Sequence, residues 1–261
     1  MRCWFSSLMI DIHSHLIWGV DDGAQTIEDS LAMLRVAAET GTTDIVATPH
    51  ANDRYEFDRA ELETRVEKLR EASGGTPRIH LGCDFHLSFS NIESALANRD
   101  LYTVNRLRYL MVELPEMLIP PGIDRALEHL QDAGMIPVIT HPERNRALSE
   151  DVKRLDHWIG IGCYAQITAQ SLEGRFGRTA KNLASRWIEG GQAHFVASDA
   201  HDMEARPPRL DRAFQMIAEK HGEAEAQRLL QDNPQHVLDG TELPYARRSP
   251  RAGKRRLRFF K

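Results

Sequence analysis

Cysteine is scarce in this chain, with only Cys3, Cys83 and Cys163 in 261 residues. An odd, sparse set without C-x-x-C spacing argues against a disulfide framework and fits a cytoplasmic protein with reduced thiols. None of the three has an Arg six positions later, so the loop of a cysteine phosphatase is absent. Cys83 and Cys163 are expected to be small core residues in strands. Long hydrophobic runs are also missing, and nothing approaches the roughly 20 apolar residues that span a bilayer. Residues 1–9 hold one Arg and a few apolar side chains before polar residues follow, too short for a signal peptide. We expect residues 1–8 to be a non-native or disordered extension, with Met9 the true start.

Positive charge is short over most of the chain. The net charge is −5, yet residues 247–261 carry eight Lys and Arg and no acid, so the preceding body stands at −13. A body that acidic argues against nucleic-acid binding. The tail, residues 242–261, is expected to be a solvated, disordered terminus. It is also the one stretch suited to peripheral contact with an anionic membrane.

Polar residues at the ends of apolar runs are what the chain has in abundance. Strands are expected at 8–12, 44–47, 78–83, 109–113, 136–139, 163–167 and 194–197. Helical patterns at 28–40, 59–72, 122–133, 178–189, 208–221 and 223–231 lie between or after them, several closed by glycine. Strict alternation implies parallel strands with right-handed crossovers, and about seven such units close into a barrel. The expected domain is one α/β barrel over residues 9–241.

Active sites of such barrels sit at the C-terminal strand ends. There the sequence places His13 and His15, then Asp22 in the following loop, His50, Asp84, Glu113, His141, Asp199 and His201. In Asp11-Ile12-His13-Ser14-His15, strand alternation puts Asp11, His13 and His15 on one face. Two imidazoles aimed at one point form half of a metal site. The set offers nitrogen and oxygen without thiolate, which suits Mn²⁺, Fe²⁺ or Zn²⁺. Glu113 on an apolar strand would otherwise be an unpaired buried charge.

The ordered set Met9-Ile10-Asp11-Ile12-His13-Ser14-His15, Val20-Asp21-Asp22-Gly23, Val46-Ala47-Thr48-Pro49-His50, Pro137-Val138-Ile139-Thr140-His141-Pro142-Glu143-Arg144, Ala197-Ser198-Asp199-Ala200-His201, Arg206-Pro207-Pro208 and Asp232-Asn233-Pro234 resembles the PHP-domain phosphoesterases. More narrowly, it resembles the manganese-dependent bacterial protein-tyrosine phosphatases of the CpsB/CapC family, found in capsule and exopolysaccharide operons. The resemblance runs from about Met9 to Leu238. It implies a PHP-type distorted (β/α)7 barrel with three metals, Mn²⁺ before Fe²⁺ or Zn²⁺. By resemblance His13, His15 and Asp199 hold one metal, Glu113 and His141 a second, and Asp22, His50 and His201 a third. The position bridging the first two is usually Glu in that family and is Asp84 here, one methylene shorter. Arg144 and Arg206 resemble the substrate arginines, and a metal-bridging hydroxide would attack phosphorus in line. The implied substrate is a phosphotyrosine protein, the tyrosine-rich tail of a bacterial tyrosine kinase.

Other readings keep part of this pattern. A PHP phosphatase of a small phosphomonoester such as histidinol phosphate shares the fold. A metal-dependent amidohydrolase commonly uses a lysine on a middle strand, and no strand end here offers one. A binding module would keep the site for structure alone. Among the remaining residues, Asp11 is evenly balanced between supporting a ligand and merely packing. Glu143 is expected to be exposed or in an ion pair. His80, His86, His129, His157, His194, His221 and His236 are expected to be structural or exposed, and Trp158 and Trp187 core.

Overall fold

The alternation of strands and helices expected from the sequence yields nine parallel-paired strands in a computed structural model that describes residues 8–115 and 119–244. The strands are β1 (Met9–Ser14), β2 (Thr42–Ala47), β3 (His50–Ala51), β4 (Arg78–Leu81), β5 (Asp84–His86), β6 (Tyr109–Glu113), β7 (Ile136–Thr140), β8 (Tyr164–Thr168) and β9 (Phe195–Ala197). They form two sheets, ordered β1-β2-β4 and β3-β5-β6-β7-β8-β9. Residues 1–8, apart from Leu8, and most of the basic tail lie outside the described residues.

The two sheets are one interrupted ring. β2 and β3 are a single run broken at Thr48-Pro49, and β4 and β5 a single run broken at Gly82-Cys83. Backbone bonds carry the ladder across both breaks: Thr48 N–H donates to the Ser14 carbonyl at 2.8 Å, Gly82 N–H to Ala47 at 2.8 Å, and Asp84 N–H to Pro49 at 3.1 Å. A proline lacks the N–H that an unbroken ladder needs. Glycine suits the second break, where a Cβ on Gly82 would meet Val104 Cγ2 at 2.9 Å. The ring closes between β1 and β9 through a parallel bridge from Ser14 to Ala200. His15 N–H donates there to the Ala200 carbonyl at 2.8 Å and Asp199 N–H to the His13 carbonyl at 2.9 Å. Seven strand positions therefore make the distorted barrel. The second and third expected strands, 44–47 and 78–83, differ in that each run continues past a break into a further short strand, β3 and β5.

Eleven helices follow the strands among the described residues: α1 (Ile27–Glu39), α2 (Arg59–Ser73), α3 (Phe89–Ala97), α4 (Ile123–Asp132), α5 (Arg146–Glu150), α6 (Lys153–Gly160), α7 (Ala169–Glu173), α8 (Gly177–Glu189), α9 (Asp211–His221), α10 (Glu223–Gln227) and α11 (Asn233–Asp239). Local chemistry sets their ends. Thr26 and Asp29 form a capping box at the start of α1, and Asp58 accepts from the Ala60 and Glu61 N–H groups at the start of α2.

The barrel interior grades from apolar to polar. Tyr109, Met111, Ile136, Val138, Tyr164, Phe195 and Ala197 fill one buried cluster. Strand alternation puts Glu113, Thr140 and Gln166 on the same faces further along. An outer layer joins strands to helices and includes Leu127, Leu130, Trp158 and Trp187. Each such large side chain contributes about 1.5–3 kcal/mol by leaving water. The buried Trp158 keeps its indole N–H satisfied by donating to Asp124 Oδ1 at 2.7 Å. Cys83 and Cys163 are buried, as expected of small core residues.

Candidate metal centre at the barrel mouth

The structure brings all nine expected donors together at the C-terminal strand ends. β1 and the residue after it carry His13 and His15, whose Nε2 atoms lie 3.3 Å apart. The loop that follows folds back so that Ala24 N–H donates to the His15 carbonyl at 3.1 Å. Only glycine fits at Gly23, where a Cβ would lie 2.0 Å from the His15 carbonyl oxygen. That close approach is what delivers Asp21 and Asp22 to the site.

Asp84 sits at the centre. Its Oδ2 lies 3.3 Å from His50 Nδ1, 3.5 Å from His13 Nε2, 3.9 Å from His15 Nε2 and 4.0 Å from His141 Nε2. Asp199 Oδ1 is 3.4 Å from both His13 and His15 Nε2, and 3.6 Å from His201 Nδ1. Asp22 Oδ1 is 3.3 Å from His50 Nε2 and 3.5 Å from His201 Nε2. Glu113 lies 3.6 Å from His50 and 3.9 Å from His141.

Three groups of donors close within 4.8 Å: His15, Asp22, His50 and His201; His13, His15 and Asp84; and His50, Asp84 and Glu113. The expected trio of Asp22, His50 and His201 recurs in the first group. Asp84 belongs to two of the three, so the shorter side chain still reaches the middle of the cluster.

These donors fit metal ions. The buried Asp84 Oδ2 and His50 Nδ1 have no hydrogen-bond partner, an arrangement that burial penalises unless something else satisfies them. Two ligands each about 2.1 Å from one ion at a tetrahedral angle stand about 3.4 Å apart, which is the spacing seen here. The electrostatics agree. Burial opposes charging His15 and His50, yet Asp21 and Asp199 push His15 up to about 9, and Asp22, Asp84 and Glu113 push His50 up to about 11. Burial is likewise outweighed at Asp84 and Asp199, which the surrounding imidazoles hold well below the usual carboxylate range. The carboxylates thus create a demand for positive charge at the centre. His201 differs: burial and the nearby His15 bring it down to about 4.

Side chains around the donors fix their orientation. Gln166 Oε1 lies 3.0 Å from His13 Nδ1, Asp21 Oδ2 2.7 Å from His15 Nδ1, and the Asp199 carbonyl 2.9 Å from His201 Nδ1. Each leaves Nε2 free to face the cluster. His141 and Asp199 adopt positive φ values of 34° and 51°, a costly conformation for residues with a Cβ. Asp11 does not join the donors; its Oδ1 accepts from the N–H groups of Ser198 at 3.0 Å and His13 at 3.4 Å, tying β1 to β9. Burial raises its carboxyl to about 6.

Two guanidiniums stand at the same mouth. Arg144 Nη1 bonds Asp199 Oδ2, and Arg206 reaches Asp199 Oδ2 at 3.6 Å and Asp22 Oδ2 at 3.9 Å. Glu143 is not exposed as expected. It is buried and its Oε1 accepts from Thr168 N–H at 2.9 Å and the Ser171 hydroxyl at 2.7 Å, because the turn after β7 folds against α7. His86, expected to be structural or exposed, stands with Nδ1 3.5 Å from Glu113 Oε2. Gln166 and Asp21 also escaped the sequence reading. Asp21 lay beside a chosen residue, and Gln166 is a buried amide in an apolar strand, without the charge that singled out Glu113.

Known proteins resemble this chain over most of its length. YwqE of Bacillus subtilis, a tyrosine-protein phosphatase, is 34% identical over 96% of this chain and 99% of its own. The tyrosine-protein phosphatase CpsB of Streptococcus pneumoniae is 31% identical over 88% of this chain and 98% of its own. Crystal structures of YwqE and CpsB, described as unique metal-dependent tyrosine phosphatases, include a chain that matches with a TM-score of 0.86 at 32% identity, covering 93% of this chain and 99% of that one. A β-aspartyl dipeptidase from Fervidobacterium islandicum, with a TM-score of 0.55 at 14% identity over 88% of this chain and 75% of its own, shares the fold alone. The family model for capsular polysaccharide synthesis, CpsB/CapC, matches residues 9–239. That match runs from the first residue of β1 to the last of α11 and so takes in the whole barrel and its mouth: the chain belongs to the CpsB/CapC family.

Proposed function

We propose that this protein is a metal-dependent protein-tyrosine phosphatase, working with Mn²⁺ on a tyrosine kinase of capsule or exopolysaccharide synthesis. One observation carries the reading: nine nitrogen and oxygen donors and two guanidiniums converge at one barrel mouth, in a chain alike over nearly its whole length to YwqE.

His13, His15, Asp22, His50, Asp84, Glu113, His141, Asp199 and His201 are the proposed metal ligands. Divalent ions held there would supply Lewis acidity toward phosphoryl oxygens and lower the pKa of an attacking water. Arg144 and Arg206 then bind the phosphate, because a guanidinium fork matches two of its oxygens. Their charge also offsets the carboxylates, which would otherwise repel a dianion. Gln166 and Asp21 keep two imidazoles turned to the centre. No thiolate nucleophile is required: burial raises the Cys83 thiol well above its usual value, which makes it inert. The phenolate of tyrosine leaves readily enough for direct displacement by water.

The test is phosphate release from a phosphotyrosine peptide, with and without Mn²⁺, by the wild type and His201→Ala. Release that needs the metal and is lost in the variant is expected. A folded, metal-loaded protein that ignores the peptide yet cleaves histidinol phosphate would overturn the substrate assignment.

A further inference from the structure

Both phosphate-facing arginines lean on one short piece of chain. Gly174 follows the last residue of α7, and α8 begins at Gly177, with φ of 90° and 86° at the two glycines. Only Arg175 and Phe176 lie between them, so the pair is held in a turn whose shape the glycines permit. The half-buried Phe176 ring lies under the Arg144 guanidinium, whose Cζ is 4.3 Å from the ring centroid. Arg175 Nη1 donates to the Glu204 carbonyl at 2.9 Å and the Ala205 carbonyl at 3.1 Å, the two residues before Arg206.

The same piece is anchored to both arginine loops by buried bonds. Ser171 donates to Glu143, the neighbour of Arg144, at 2.7 Å, and Gln170 Nε2 donates to the Pro207 carbonyl, the neighbour of Arg206, at 2.7 Å. Asp202 Oδ1 closes the second loop by accepting from the N–H groups of Glu204, Ala205 and Arg206.

We propose that residues 170–176 are the positioning element for phosphate recognition, with Phe176 holding Arg144 by a cation–π contact and Arg175 holding the loop that carries Arg206. This rests on the reading of Arg144 and Arg206 as phosphate binders. A flexible guanidinium that must also neutralise Asp199 would otherwise collapse fully onto that carboxylate. A ring face beneath it keeps the fork open for an incoming anion.

The test measures inorganic phosphate binding to the Mn²⁺-loaded protein by calorimetry, and kcat and KM on a phosphotyrosine peptide. Phe176→Leu is expected to weaken phosphate and raise KM about three- to thirtyfold, the range of a cation–π contact, with bound Mn²⁺ per chain unchanged. Phe176→Tyr restores the ring face and is expected to restore both values. Arg175 is exposed, so Arg175→Ala provides the same readout through the Arg206 loop should the Phe176 change unfold the protein. Wild-type phosphate affinity in Phe176→Leu or, failing that, Arg175→Ala, beside a weakened Arg144→Ala, overturns the positioning role and leaves the function intact. Wild-type affinity in Arg144→Ala as well overturns the phosphate-binding reading beneath it.

Discussion

Three of the five clustered imidazoles present Nε2 to the centre because something else occupies Nδ1. For His13 that partner is Gln166, at 3.0 Å. An amide oxygen there holds the ring plane and the tautomer together, so Nε2 is kept facing the cluster, as the proposed ligand role requires. Gln166→Leu keeps the bulk and removes the bond. It is expected to lower Mn²⁺ affinity about 10–100-fold with little change in melting temperature, read by competition with a chelator of known affinity. Unchanged affinity would mean that packing alone sets the ring. Gln166 went unread in the sequence because a neutral amide in an apolar strand carries no conspicuous charge penalty. Glu113, four strand-length residues into its own apolar run, carried that penalty and was read.

β9 begins after His194, a buried ring whose Nδ1 accepts from the Ala165 N–H at 3.2 Å and so ties β9 to β8. Burial, aided by nearby Arg228, lowers this imidazole from 6.5 to about 3. The ring is neutral in the fold and takes up a proton more readily once unfolded. Its contribution to stability is therefore complete above about pH 6.5 and is lost as pH falls from there toward 3, by up to about 1.4 kcal/mol per pH unit. Urea midpoints for wild type and His194→Gln, measured from pH 7 to pH 4.5, are expected to converge as pH falls. Parallel curves would sink the assignment. Element boundaries show a similar dependence on neighbours. The long helices α1, α2, α4 and α8 announced themselves by periodicity and stop signals. α5 and α7 are five residues each, too short for two turns of pattern, and exist because a buried strand end on one side and a packed helix on the other leave the chain no other course.

The ring of strands is held least firmly between β1 and β9. That seam has one bridge, a few backbone bonds and the Asp11 carboxylate, in place of a full ladder. His13 and His15 stand on one side of it, Asp199 and His201 on the other. An ion shared across them would staple the barrel shut, and binding free energy of that kind becomes folding free energy. Stripping the metal with a chelator is expected to lower the melting temperature by roughly 5–10 °C. Amide exchange should rise first over residues 195–201. A melting temperature indifferent to chelator would show that the seam holds without metal.

Strand period, helix stops and the recurrence of His, Asp and Glu at strand ends were legible in the residues alone, because each is local: a side chain's alternation, a cap, a polar group ending an apolar run. They sufficed for a seven-unit parallel barrel and for eight of the nine clustered donors; the ninth, Asp22, lies in a loop and was marked out by the family resemblance. Distances were not local. That Asp84 stands at the centre, that Glu143 turns inward to α7, that His86 reaches Glu113 and that Phe176 lies beneath Arg144 depend on how seven strand ends converge. The physical reason is that a barrel mouth gathers side chains from loops far apart in sequence. Which of them touch is settled by packing and closure of the ring, and no short-range pattern records either.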